Sequence, residues 1–144
     1  MRRTLTISVV ALFVALNCLA AKETVQQLAA RADAARPEDR PGLYVEIAER
    51  QLKAVAELFG AGKDEEAVAT VRDVVTYSEK AHDAAIASRS KLKNTEIALR
   101  KMAAKLRDIK RTLSFEDQAP VQAAADRLEA LRTELLSKMF GKGK

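Results

Sequence analysis

From Asp64 to Leu113 the chain runs without a glycine or a proline, and apolar or small side chains return every three or four residues in one unbroken heptad phase. The series is Ala67, Val71, Val74, Ser78, Ala81, Ala85, Ser88, Leu92, Thr95, Leu99, Met102, Leu106, Ile109 and Leu113. Such spacing lines one side of a helix, whereas a half-buried strand would alternate every second residue. The pattern predicts one continuous helix over about 64–113, a rod of roughly 70 Å at the rise of an α-helix. A break near Ser88-Arg89-Ser90 is the competing expectation, because serine favours helix caps and a chain of this size usually folds back sooner.

Shorter helices flank this run. Val25, Leu28, Ala32 and Ala35 form one stripe from about Glu23 to Arg36, which Pro37 ends. The segment Pro37-Glu38-Asp39-Arg40-Pro41-Gly42 reads as a connector, with Asp39 as the expected cap of the next helix. That helix carries Val45, Ala48, Leu52, Val55 and Phe59 on one face and stops at Gly60-Ala61-Gly62. Asp64, Glu65 and Glu66 then suit the positive end of the long helix. The last helix has Pro120 in its first turn, an apolar face of Val121, Ala124, Leu128, Leu131, Leu135 and Met139, and a Gly141-Lys142-Gly143-Lys144 tail expected to fray.

The fold class expected is all-α: an elongated bundle with coiled-coil-like packing, in which antiparallel neighbours cover opposite halves of the long central helix. Small residues at Ser78, Ala81, Ala85 and Ser88 narrow the middle of its seam, where the alanine-rich first helix is the expected neighbour. Residues 21–140 make one domain, long enough to bury a core without metals or disulfides.

The first twenty residues have the layout of a secretory signal peptide: Arg2 and Arg3, an apolar run from Leu5 to Leu16, and small residues at Ala20 and Ala21 flanking the expected cleavage point. A retained anchor is the alternative, but the run is shorter than the roughly 20 residues that span a bilayer. Acylation at Cys18 is another, against which Asn17 and Leu16 occupy places where small residues are usual. Cleavage after Ala20 leaves a chain without cysteine, and lowers the 25 basic side chains to 23 against 20 acids, a net charge of +3. That balance is too mild to imply nucleic acid.

The turn Gly62-Lys63-Asp64-Glu65-Glu66-Ala67-Val68 with its flanks, from about Leu43 to Ala81, resembles one tetratricopeptide helix hairpin. In that family stacked hairpins bind peptides and other proteins, so the resemblance implies a protein-binding role. It departs from the family in having no proline or asparagine near Ser78 to Ala81 and no second repeat at a period of about 34. The longer pattern also resembles uncharacterised exported all-helical bacterial proteins, which implies no particular activity.

Catalytic and cofactor chemistry finds few parts. His82 is the only histidine, so the Glu79-x-x-His82 step lacks the second one that a di-iron bundle requires, and a solvated histidine is expected instead. No cysteine remains for a nucleophile, no serine sits on a strand-to-helix elbow, and Gly60-x-Gly62-Lys63 is a helix-to-helix turn rather than a phosphate loop. Neither a cofactor nor a metal is expected, and no catalytic residue is assigned.

Charge is the uneven feature. From Glu38 to Asp83 there are 11 acids against 6 bases, whereas from Arg89 to Arg111 there are 9 bases against 2 acids. Arg89, Lys93, Arg100, Lys101, Arg107 and Arg111 are the candidate face for an anionic partner. A solvated helix surface explains the same pattern. The function expected is that of a non-enzymatic interaction or scaffold protein of the bacterial cell envelope, periplasmic or secreted, which binds a protein partner or itself through helix faces. The alternative is a binder of anionic membrane or polyanion surfaces; nucleic acid is least expected, because no aromatic side chains interleave the bases.

Overall fold

The computed structural model describes residues 23–141, and each of its helices begins or ends for an identifiable reason. Helix α1, Val25–Ala34, opens with a capping box: Gln27 N–H donates to Thr24 Oγ1 at 3.2 Å while Thr24 N–H donates to Gln27 Oε1 at 2.9 Å. It stops at Ala35, ahead of Pro37. Helix α2, Arg40–Gly60, has Pro41 in its first turn, where no intrahelical donor is lost. Its end is a Schellman closure: Gly62 takes φ +73°, Lys63 N–H donates to Leu58 O at 2.9 Å and Gly62 N–H to Phe59 O at 3.1 Å. Asp39 occupies the N-cap position without making a cap bond, and its carboxylate pairs with Arg36 at 3.1 Å instead.

The predicted rod over 64–113 is two helices, α3 at Asp64–Ser88 and α4 at Leu92–Lys110. The break falls at the serines. Ser88 Oγ donates back to Ala84 O at 2.7 Å and accepts Ser90 N–H at 3.3 Å, so side-chain bonds replace the next helical turn. Arg89 and Lys91 then both adopt left-handed backbone, at φ 53° and 56°, and the chain reverses. Ser90 Oγ donates to Glu38 O at 3.3 Å, which ties this turn to the connector before α2.

Helix α5, Phe115–Phe140, starts earlier than expected, so Pro120 lies inside the helix rather than in its first turn. Its missing N–H leaves the Glu116 carbonyl without an intrahelical donor.

The architecture is a four-helix bundle with α1 laid on α2. Helices α2 and α3 form one antiparallel hairpin, α4 and α5 another, and the two pack side by side. Glu79 meets Arg127 and His82 meets Glu134, so α3 and α5 run parallel. Helices α2 and α4 are parallel too, since Val45 shares a cleft with Asn94 and Phe59 with Ile109. Helices α2 and α5 therefore cover opposite halves of the heptad run as predicted, but at 21 and 26 residues they are no shorter than the 19-residue α4, the halves are folded together and the bundle is not extended along a rod.

Seam residues from both halves are buried, including Val74, Ala81, Ala85, Leu99, Met102 and Leu106. All of these but Ala81 meet Leu52, Val55, Leu128, Leu131 and Leu135 in one core. Full burial of each large aliphatic side chain contributes about 2 kcal/mol. A second cluster joins Leu28 and Ala32 of α1 to Tyr44, Ile47 and Ala81, so of the small seam residues only Ala81 shares a cluster with the alanine-rich helix, which packs on α2, while Ala85 belongs to the main core.

Left-handed backbone costs a side-chain-bearing residue roughly 1–2 kcal/mol, and glycine escapes that cost. Arg89→Gly should therefore raise stability by about 1 kcal/mol, read as an upward shift of the urea midpoint at unchanged slope. A lowered midpoint would contradict the left-handed turn.

Candidate functional site

The six basic residues singled out from the sequence do not form one patch. Arg89 precedes α4 and Arg111 follows it, so they sit at opposite ends of a 19-residue helix, about 28 Å apart along its axis. Between them Lys93 and Arg100 share the outward stripe, with Arg107 at its edge toward α5 and Lys101 turned toward α2 beside Val45 and Glu49. Several are already engaged: Arg107 with Glu129 at 3.2 Å, Arg111 with Asp108 at 3.2 Å and, loosely, Arg100 with Glu96 at 3.9 Å. Arg89, Lys93 and Lys101 are exposed and make no ion pair among the described residues.

Glu96, one of two acids in the basic run, is instead a binding element between helices. It is 7% exposed and accepts a hydrogen bond from Arg132 Nε at 2.6 Å, which in turn lies 3.3 Å from Glu129. That hydrogen bond holds the Arg132 guanidinium even more firmly protonated than usual, and the Glu129 charge adds to it. Sequence reading missed this network because its partners lie 36 residues apart. The one available signal was Glu96 following the seam position Thr95.

His82 corrects a second expectation. It is 5% exposed rather than solvated, because α5 as well as α2 packs on α3. Its Nδ1 lies 2.8 Å from Asp83 Oδ1. Nε2 lies 3.1 Å from Glu134 Oε2, but off the direction of the ring N–H, so it has a charge nearby and no aligned hydrogen bond. Ser78, one turn earlier, is fully buried and its Oγ has no hydrogen-bond partner among the described residues. Glu79 turns to Arg127 at 2.7 Å and so does not complete a Glu-x-x-His ligand pair. No group of three metal-ligating side chains occurs among the described residues.

At the α1 junction Tyr44 donates to Asp33 Oδ1 at 2.5 Å. Burial first, then this hydrogen bond and the Asp33 charge, push the phenol up to about 12 from 10.0. Lys80 Nζ stands 5.6 Å from the centre of the Tyr44 ring and 5.4 Å from that of Tyr77. These contacts lock α1 and α3 around α2.

Two surface features remain for recognition. An apolar groove of about 440 Å³ runs between the N-terminal halves of α3 and α5, with Val68, Val71 and Val75 facing Pro120, Ala123 and Ala124 and with Arg72, Thr76 and Arg127 also lining it. Small residues on α5 leave this gap. The bundle's two poles also differ, each carrying one exposed phenylalanine: Phe115 at one and Phe140 at the other. The signal peptide, the Ala20/Ala21 cleavage point, Cys18 and the tail from Lys142 lie outside the described residues. No helix among those described is long and apolar enough to cross a membrane.

Since Ser78 Oγ is buried without a partner, Ser78→Ala removes no hydrogen bond and should be neutral or stabilise by up to about 1 kcal/mol in urea denaturation. A loss above about 1 kcal/mol would mean that the hydroxyl is bonded. The raised pKa of Tyr44 means that the fold favours the neutral phenol, so its contribution is complete below pH 10.0 and disappears as pH rises through about 12. The stability difference between wild type and Tyr44→Phe should shrink across that interval, and phenolate absorbance in Tyr77→Phe should appear near its upper end; phenolate formation close to pH 10.0 would contradict the Tyr44–Asp33 contact.

Against models of known families, curated proteins and solved structures this chain finds no match, so its role is inferred from its own geometry.

Proposed function

We propose that this chain is a non-enzymatic interaction protein of the bacterial cell envelope, exported through its N-terminal leader and holding a protein partner, or a second copy of itself, against a helix face. The heptad seam is covered by neighbouring helices, so the contact surface assigned is the α3–α5 groove. The observation that carries the proposal is the chemistry of that groove: its floor is valine, alanine and proline, and its polar lining is limited to Arg72, Thr76 and Arg127. An apolar slot between parallel helices takes the apolar face of another helix, and Arg72, which makes no ion pair among the described residues, favours an acidic flanking residue on that helix, whereas Arg127 is already paired with Glu79. The αα-hairpin resemblance at Leu43 to Ala81 adds support in kind, since α3 forms one wall.

Self-association is tested by sedimentation velocity from micromolar to high micromolar protein. A dimer that Ala123→Glu abolishes supports the homotypic form, and a strict monomer removes it. The partner form is tested by placing a photo-crosslinking amino acid at Ala123 in the native envelope, with exposed Ala130 as the control position. Adducts at Ala123 but not at Ala130 are expected. Absence of position-specific adducts together with a strict monomer would overturn the proposal.

A further inference from the structure

The two poles of the bundle are chemically opposite, although each carries an exposed aromatic ring. At the pole formed by the α2–α3 and α4–α5 turns, Phe115 is 90% exposed, and the first-turn acids Asp64, Glu65, Glu66, Glu116 and Asp117 outnumber the bases Lys63, Lys110 and Arg111. At the other pole Phe140 is 76% exposed, at the end of α5 and level with the α3–α4 turn. Its surroundings are cationic. Arg89 and Lys138 border a cleft of about 380 Å³ whose apolar part is Ile86 and Leu92. Lys93, in the first turn of α4, and both of these cations make no ion pair among the described residues, while Lys91 folds back to Asp39 at 3.7 Å. The nearby acids are Glu38, paired with Arg36 at 3.5 Å, Asp39, held by Arg36 and Lys91, and Asp83 and Glu134, both against His82 one to two turns inward.

We infer that this pole docks end-on to an anionic phospholipid surface. The cleft between Arg89 and Lys138 receives a lipid phosphate, Ile86 and Leu92 lie against the glycerol and upper acyl region, and Phe140 enters the interface. The sign of the charge selects the lipid and the exposed ring supplies the apolar contact that charge alone lacks. The acidic pole then faces away from the membrane, a dipolar arrangement that fixes orientation. The α3–α5 groove lies between the N-terminal halves of α3 and α5, on the side of the acidic pole, and stays open. The inference stands independently of the groove's occupant.

The test is vesicle co-sedimentation with phosphatidylcholine alone and with added phosphatidylglycerol. It uses the full chain and, beside it, Ala21–Lys144, which contains every helix and core residue described. Binding should require the anionic lipid and collapse as salt is raised. Each cation near the surface accounts for about fivefold in partitioning, so Arg89→Gln, Lys93→Gln and Lys138→Gln together should lower it roughly a hundredfold. Phe140→Ala should lower it about tenfold. Phe115→Ala, and Lys101→Gln with Lys105→Gln and Arg111→Gln, should leave it within about twofold, with circular dichroism reporting an intact fold throughout. Indifference to lipid charge would overturn the inference. So would equal losses in the Lys101 set, which would move the contact to the side of α4 toward α2, or tight binding to polyglutamate without vesicle binding, which would assign the pole to an acidic protein.

Discussion

The reversal between Ser88 and Leu92 is the constraint on which the rest of the molecule depends. A helix that ran on from α3 into α4 would carry Leu99, Met102 and Leu106 away from Val71 and Val74, and each half would need its own cover. The hydroxyl of Ser88 instead bonds within its own turn, and Arg89 and Lys91 accept left-handed geometry without being glycine. Their backbone cost is small beside the aliphatic burial that the fold-back secures, since several leucine and valine side chains at about 2 kcal/mol each outweigh it. The same reversal places Arg89, Lys93, Lys138 and Phe140 at a common pole and brings α5 alongside α3, which creates the groove.

Much of this was legible before any coordinates. The heptad series identified the inward face of both halves, Pro37 and Gly60 to Gly62 marked real boundaries, and the flanking helices cover the halves assigned to them. Continuity was not legible because a three-residue reversal that restores the same inward face leaves the heptad phase unchanged. The serines pointed to a break, but the two left-handed positions hold arginine and lysine, which carry no local turn signal. His82 and Glu96 escaped for a different reason. Each flanks a seam position on a side that solvent would reach in a two-helix coiled coil, and each is buried only because α5 covers that side.

Distance in sequence also limited the basic run. As a string it is dense and mostly positive, yet α5 supplies Glu129 to Arg107, Asp108 answers Arg111, and the helix carries the remaining cations to different sides. What survives as concentrated positive charge is the pole, where a lysine from α5 joins an arginine from the turn. Groove and pole are built from the same hairpin-on-hairpin packing, one where small α5 residues leave a gap beside α3, the other where chain ends collect.

The fold-back is tested most directly by a distance between its ends. Spin labels at Glu65 and Arg111, in a chain with Cys18→Ser, sit on the first turn of α3 and just past the last turn of α4. Double electron–electron resonance should give a distance of roughly 20–35 Å for helices lying antiparallel within one bundle, whereas an uninterrupted helix would put the labels about 70 Å apart. The short distance supports the shared core, the groove and the common pole together; the long one would contradict all three.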